Sequence, residues 1–353
     1  MTSEESAARQ LSRRRFHATL GTALACGIGC KPQASPSSAP SAPLSILLNW
    51  FPDAQHGGFY AADELGYFKA LGLQVEIVPG GPGAPVVQSI SLGRNPFAVG
   101  NADQLLEANA QGAPVVAVMA AMQNSPRCIM AHSDSGFQSL ADIHDVKLAL
   151  GAGKAFASYL QQKLPLNNVT VVPYTGSITP FLEDHKFAQQ AYVFSEPFLA
   201  RKHGAEPVTF MVSKLGFNPY TSCLFTHQDF IREHPELVGK VVQAVRQGWL
   251  AYFKHSDQVN ARILQDNPQM DAESLHFGVQ ALQPLCIPTN GNEQEVGQMS
   301  AERWTQLHTQ LVQLKRVPET QDPNNVFTTK FLSADLNSVT QHVPENLSVS
   351  TDP

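Results

Sequence analysis

The chain is short of cysteine, of long apolar runs and of clustered basic residues, and each shortage removes a class of function. Of five cysteines in 353 residues, Cys26 and Cys30 fall near the N-terminus. The remaining three, Cys128, Cys223 and Cys286, are widely spaced and match neither a zinc pattern nor a disulfide framework. Buried free thiols are the preferred reading, with one pair among the three left open. The apolar stretch from Ala18 to Gly29 is far shorter than the roughly 20 residues that span a bilayer, so no permanent membrane-spanning helix is expected there. Familiar catalytic signatures are missing as well. There is no GxSxG elbow, no HExxH, no Walker sequence and no GxGxxG dinucleotide turn.

The N-terminus itself is informative. Ser12, Arg13, Arg14, Arg15 and Phe16 form a twin-arginine pattern ahead of ATLGTALACGIGC, which reads as an export signal over residues 1–30. The Pro/Ser/Ala tract that follows, through residue 43, has no periodic apolar face and reads as a flexible tether. Cys30, between Gly29 and that tether, resembles the lipidated cysteine of bacterial lipoproteins, although Gly27 stands where a leucine is usual. The expectation is an exported protein, periplasmic or held to the cell envelope through Cys30. Residues 1–29 hold four of the 24 basic residues (Arg9, Arg13, Arg14, Arg15) and two of the 30 acids (Glu4, Glu5), so the remainder carries 20 against 28, a net charge of −8. With no basic run left, nucleic acid is not an expected partner.

Past the tether, short β-branched runs alternate with amphipathic segments. LSILLNW, LQVEIVPG, PFAVGN, APVVAVMAAM, VKLALG, VTVVPY and AQQAYVFS read as strands. AADELGYFKALG, PVVQSISLGR, ADQLLEANAQG, SLADIHD and AFASYLQQKL read as the helices between them. This alternation predicts an α/β fold with mostly parallel sheets flanked by helices. Beyond about Thr226 helix follows helix, and some 310 residues exceed one typical core, so two lobes with a cleft between them are expected.

The densest signal is Leu47 to Glu76, LLNWFPDAQHGGFYAADELGYFKALGLQVE. It reads as strand, aromatic loop, helix closed by Gly66, and second strand. Such a unit places Asn49, Trp50, His56 and Tyr60 at the carboxyl end of a strand, where open α/β sheets bind small ligands. Pro52, Gly57 and Gly58 are expected to bend the loop and expose the Trp50 ring. His56 and Tyr60, four apart, fall on one helical face if Gly57 opens the helix. No second His, Cys or carboxylate stands beside His56 at metal spacing, and no metal or other cofactor is expected. Gly80 and Gly81 form a turn ahead of PVVQSISLGR; the turn either meets positive-φ geometry or offers N–H groups to a ligand. Asn101 reads as the N-cap of ADQLLEANAQG, with ligand contact from the same loop as the second reading. Glu196, in Phe194-Ser195-Glu196-Pro197, and Tyr174, in PYTGS, lie at strand ends of the second lobe.

The run from Leu47, its continuation from Val75 to Gln123, and FSEPFLA (Phe194 to Ala200) resemble the NMT1/THI5-like substrate-binding proteins, which include thiamine-pyrimidine-precursor receptors of ABC importers. The resemblance is specific over about 44–130 and looser beyond. It implies a type II periplasmic-binding-protein-like fold with a discontinuous first lobe, residues 44–130 plus 224–332. Residues 131–223 then form the second lobe, with crossings near Ala131 and Cys223 and a C-terminal tail at 333–353. It implies that Asn49 and Trp50 contact a flat heterocycle and that Glu196 accepts from its amino group. A stacked aromatic face contributes about 1–3 kcal/mol, and a hydrogen bond to a charged acceptor about 1.5–3 kcal/mol. The implied function is capture of a hydroxymethyl- or formylamino-pyrimidine by a monomer that docks on a membrane permease. Riboflavin-type rings, sulfonates, nitrate and nitriles are the alternatives. Enzymatic members of the resemblance make the pyrimidine and need a lysine and a histidine four residues on. Here those positions are Asn101 and Leu105, and PFLARKHG after Glu196 has no cysteine, so a non-enzyme is expected.

Overall fold

The computed structural model describes residues 44–287 and 292–333. The export signal, Cys30, the tether and the tail beyond residue 333 lie outside the described residues. No described helix is long and apolar enough to cross a membrane.

Among the described residues, ten strands form two five-stranded sheets. The first contains β1 (Leu44–Leu47), β2 (Val75–Val78), β3 (Phe97–Gly100), β4 (Val115–Met122) and a late strand, β10 (Thr221–His227), in the order β2-β1-β3-β10-β4. The second contains β5 (Arg127–His132), β6 (Lys147–Leu150), β7 (Thr170–Pro173), β8 (Phe187–Tyr192) and β9 (Pro207–Met211), in the order β7-β6-β8-β5-β9. The α/β class expected from the alternation is what forms. Parallel pairing covers half of each sheet: β1 with β2 and β3, and β6 with β7 and β8. β10 and β5 run antiparallel to both of their neighbours, which makes the sheets mixed. β5, β9 and β10 are the strands absent from the sequence reading; β5 and β10 enter their sheets with no α-helix between them and the preceding strand.

The expected helices form as α1 (Gly57–Glu64), α2 (Tyr67–Ala70), α3 (Val86–Ser91), α4 (Ala102–Ala110) and α5 (Ala155–Lys163). Gly66, in the left-handed region at φ 79°, separates α1 from α2. SLADIHD forms only a single 3₁₀ turn, Leu140–Asp142. Two short helices, α6 (Thr179–Glu183) and α7 (Glu196–Lys202), complete the second half. The helical run after Thr226 becomes α8 (Gln228–Glu233), α9 (Pro235–Tyr252), α10 (Ser256–Asp266), α11 (Ala272–Cys286) and α12 (Ala301–Gln313).

α9 buries Val238, Val241, Val242, Val245, Trp249 and Tyr252 along one stripe, each contributing about 1.5–3 kcal/mol of transfer free energy. Its partner is α1, and the approach is close enough to decide the residue type. A Cβ on Gly248 would stand 2.1 Å from the Gly58 carbonyl oxygen, and one on Gly58 would enter the Trp249 ring. Gly57, already helical at φ −54° and ψ −38°, would likewise meet Tyr252. The two glycines therefore admit α9 against α1 and do not bend the loop as the sequence reading had it.

β4 lies at a sheet edge, yet all eight of its residues are buried. Its free edge is covered by the C-terminal segment, with Ala117 N–H donating to Val326 O at 2.8 Å and Ala120 N–H to Gly297 O at 3.0 Å. Covering an edge in this way removes a template for intermolecular pairing. The buried Arg246 of α9 holds that segment, its guanidinium donating to the carbonyls of Val296 (2.8 Å), Leu332 (2.8 Å) and Gln294 (2.6 Å).

The chain passes from the first sheet to the second through residues 123–126 and returns through 216–220. Both passages fall a few residues before the points near Ala131 and Cys223 taken from sequence, because β5 belongs wholly to the second sheet and β10 to the first. Asn218 ties the passages together: its Oδ1 accepts from Ser125 N–H at 2.8 Å, and its Nδ2 donates to Asn124 Oδ1 at 3.0 Å.

Candidate functional site

Strand polarity gathers the candidate residues. Asn49 and Trp50 follow β1, Gly80 and Gly81 follow β2, and Asn101 follows β3, all at the carboxyl ends of parallel strands. In the second sheet Tyr174 follows β7, and Tyr192 to Glu196 follow β8, again at carboxyl ends. The two passages leave and enter at these same edges, since β4 ends opposite the start of β10 and β5 starts opposite the end of β8. Ligands in open α/β sheets bind at such edges, beyond the ends of the strands.

In the first half, Trp50 is 40% exposed and meets the equally exposed Phe51 edge-on, with ring centroids 5.6 Å apart. The loop beneath is built by its polar residues. Asp53 accepts from Gln55 N–H at 3.0 Å and from Gln55 Nε2 at 2.9 Å. The His56 ring lies between Asn49 and Asp53: its Nε2 is 3.1 Å from Asn49 Oδ1, while its Nδ1, 3.3 Å from Asp53 Oδ1, makes no hydrogen bond among the described residues. His56 has no exposed surface, and neither does Tyr60, whose hydroxyl donates to Asp266 Oδ2 at 2.9 Å. Burial and then that carboxylate push the Tyr60 phenol upward. Neither side chain has exposed surface in this structure. The reason is the close packing of α1 against α9 and α10.

Gly80 also acts locally. Its N–H donates to Trp50 O at 3.2 Å, and a Cβ there would stand 2.1 Å from Leu48 O. The residue must be glycine for the second turn to lie against the backbone that presents Trp50. Gly81 faces the Phe51 ring, 3.3 Å from its would-be Cβ. Asn101 caps α4 in a capping-box arrangement. Its N–H donates to Gln104 Oε1 at 3.3 Å, and its Oδ1 accepts from Ser222 N–H at 3.4 Å.

In the second half the Glu196 carboxylate is held at both oxygens. Tyr174 O–H donates to Oε1 at 2.8 Å, and Tyr192 N–H donates to Oε2 at 2.8 Å. Burial pushes its carboxyl above the ordinary range, against the opposing pull of these donors and of Arg127. The Tyr174 phenol is pushed up by burial and by Glu196.

Arg127, absent from the sequence reading, lies at the centre of this group. As the first residue of antiparallel β5 it registers with Tyr192, the last of β8. Its Nη2 donates to Tyr192 Oη at 2.8 Å, and its guanidinium lies over the Phe156 and Tyr192 rings, 4.1 and 4.7 Å from their centroids. The same cation offsets the burial of a second acid, Asp103 on α4, whose carboxyl is raised mainly by desolvation. Asp103 Oδ1 has no hydrogen-bond partner among the described residues. Arg127 thus acts electrostatically on one acid from each half, Asp103 and Glu196. Asp103 was legible only as a helix-end charge, and a lone arginine in an apolar run carried no signal at all.

Two contacts join the halves near the Trp50 loop. A Cβ on Gly278 of α11 would lie 2.7 Å from Ala54 Cβ and 3.6 Å from Phe194 O, so the first-half loop and the Glu196 turn lie against one glycine. Phe198 of α7 stacks on Phe277 of α11, with centroids 4.7 Å apart.

A family model described as NMT1/THI5 like matches residues 53–259, more than half of the chain. The chain belongs to that family. Among its relatives, a riboflavin-binding protein, RibY, of Chloroflexus aurantiacus is 23% identical over 322 residues, covering 85% of this chain and 91% of that protein. A formylaminopyrimidine-binding protein of Halalkalibacterium halodurans is 33% identical over 101 residues, covering 28% of this chain and 30% of that one. The fold matches the periplasmic aliphatic sulphonate binding protein SsuA of Escherichia coli at a TM-score of 0.61, with 13% identity, over 80% of this chain and 92% of that one. At that identity the likeness shows the periplasmic-binding-protein fold alone.

The family's opening loop is also where the matched region begins, at Asp53. The three cysteines contribute no chemistry to this member: all are buried and free, and desolvation raises each thiol.

Proposed function

We propose that this protein captures a small planar nitrogen heterocycle between its two halves and delivers it to a membrane permease. Trp50 stacks on one face of the ring, and Glu196, positioned by Tyr174, accepts from a ring amino group. The observation that carries this reading is the half-buried Glu196 carboxylate, held at both oxygens by Tyr174 and the Tyr192 N–H at the carboxyl edge of the second sheet. Each oxygen of that carboxylate accepts one hydrogen bond within the protein and keeps a further lone pair, which a ring amino group can meet. Closure turns on the passages at 123–126 and 216–220, which Asn218 couples, in the manner of a hinge.

Binding rather than catalysis fits the positions where the synthase-type members place lysine and histidine. Asn101 is engaged as a cap, and Leu105 is fully buried, so neither supplies a nucleophile. The reading includes export as a monomer and attachment through lipid on Cys30, which an intact-mass measurement on membrane-extracted protein tests directly.

A pyrimidine precursor is the first candidate, from the Trp50 loop and the formylaminopyrimidine-binding relative. The specific observation favouring a riboflavin-type ring is that the riboflavin-binding relative aligns over most of both chains. A thermal-shift series decides between them. Hydroxymethyl- or formylamino-pyrimidine is expected to raise the melting temperature, with riboflavin giving a smaller shift or none. Stabilisation by riboflavin alone moves the ligand class, and stabilisation by an alkyl sulfonate with no response to any heterocycle overturns the reading.

A further inference from the structure

Away from the cleft, the far end of β5 carries a second group of chemically competent side chains. His132 closes the strand that Arg127 opens, five residues on, which places it about 16 Å from the cleft edge at roughly 3.3 Å per residue. It is 5% exposed, and its ring stacks on Phe181 at a centroid distance of 3.9 Å and an interplanar angle of 5°. His132 Nε2 lies 2.8 Å from Phe181 O. A carbonyl oxygen only accepts, so the proton sits on Nε2, and the neutral ring keeps its lone pair on Nδ1. The His185 ring lies 4.7 Å from the His132 ring. Asp134, two residues past the strand, approaches His185 Nδ1 to 3.1 Å.

One ligating atom from each of His132, Asp134 and His185 falls within 4.8 Å of the others. These three line a depression of about 320 Å³, together with His203 and Glu206. We infer that this cluster is a binding site for a divalent transition-metal ion such as zinc. Three features carry the inference. The donor set, two imidazoles and a carboxylate, is one that zinc takes, with further positions open to His203, Glu206 or water. The buried histidine is already oriented by a backbone carbonyl on its other nitrogen, the supporting contact that metal-bound imidazoles use. The contraction needed is small and falls on free groups. Tetrahedral ligands about 2.0–2.1 Å from zinc stand about 3.3 Å apart, and the side chains that must close in, His185 and Asp134, are 75% and 66% exposed.

A plain surface ion pair between His185 and Asp134 is the competing account, and it takes up no metal. The test uses the tag-free protein without its N-terminal 29 residues, titrated with zinc against a chromophoric chelator. Cobalt substitution reports coordination number from its visible absorption. One equivalent of zinc is expected, with the intense bands of four-coordinate cobalt and a raised melting temperature. His185→Ala and Asp134→Ala, both at exposed positions, are each expected to weaken uptake at least tenfold, whereas His276→Ala on α11 leaves it unchanged. Uptake of no stoichiometric zinc, or uptake that survives in the His185→Ala/Asp134→Ala double variant, overturns the inference. Solute binding in the cleft is read separately by the heterocycle series, so the failure of one reading leaves the other standing.

Discussion

Gly248→Ala is expected to destabilise the protein by about 2–3 kcal/mol, measured as a lowered urea midpoint at unchanged m-value. The added methyl would stand 2.1 Å from Gly58 O, 2.7 Å from Ala62 N and 2.9 Å from Ala62 Cβ. Two of these three atoms are backbone, so no rotamer change relieves the contact and α1 must move off α9. Overpacking of this kind costs about 1–3 kcal/mol and occasionally more, whereas alanine's better helix propensity returns at most about 1 kcal/mol. Steric cost wins. Because α1 directly follows the loop bearing Trp50, the same variant is expected to weaken solute binding even where the protein remains folded. A loss of less than about 0.5 kcal/mol would show that α1 and α9 are not in the contact described.

Trp50→Ala is expected to weaken heterocycle binding about 5- to 150-fold, corresponding to the roughly 1–3 kcal/mol of one stacked aromatic face. Stability should change little, since the ring is 40% exposed and its described ring contact is with Phe51. Glu196→Gln is expected to weaken binding about tenfold or more, because the amide presents only one acceptor atom and the charge-assisted contribution is lost. The two variants together are expected to act nearly additively if each touches a separate part of the ring. Isothermal titration with the solute identified by thermal shift reads all three proteins. Full affinity in Trp50→Ala would remove the stacking role.

Glu196→Gln also has a pH signature, and its sign follows from the direction of the shift. Burial holds the Glu196 carboxyl above the ordinary carboxylate range in the folded protein. Folding therefore takes up a proton in the window between the unfolded value and the raised one. The resulting contribution is fully present below the unfolded value and is lost as pH rises through the raised value. Wild type should thus be more stable relative to Glu196→Gln in acid than at neutral pH. Thermal melts of both proteins across that window, compared as differences, cancel the opposing contributions of Asp142, Asp184 and Asp271, whose carboxyls are lowered.

The site was readable in proportion to how local its causes are. Trp50, Gly80, Asn101, Tyr174 and Glu196 all lie just beyond a β-branched run, at strand ends that chain order alone defines. Helical spacing gave His56 and Tyr60 a shared face but not what covers it. Here α9 and α10, nearly 200 residues later in the chain, seal that face. Arg127 meets Tyr192 across the β5–β8 pairing, and no spacing within either segment announces it.

By itself the amino-acid sequence determined the strand and helix alternation, the parallel cores β1–β3 and β6–β8, the long apolar stripe of α9 and the family. Each of these rests on periodicity or motif within a few tens of residues. Tertiary structure alone decided the antiparallel strands β5, β9 and β10, the close approach of α1 to α9, the contact of Arg127 with Tyr192, and the meeting of His132, Asp134 and His185. These are contacts between residues 50 to 200 positions apart or across a chain reversal. Their geometry is fixed by which surfaces the whole chain buries together, a property that no local pattern carries.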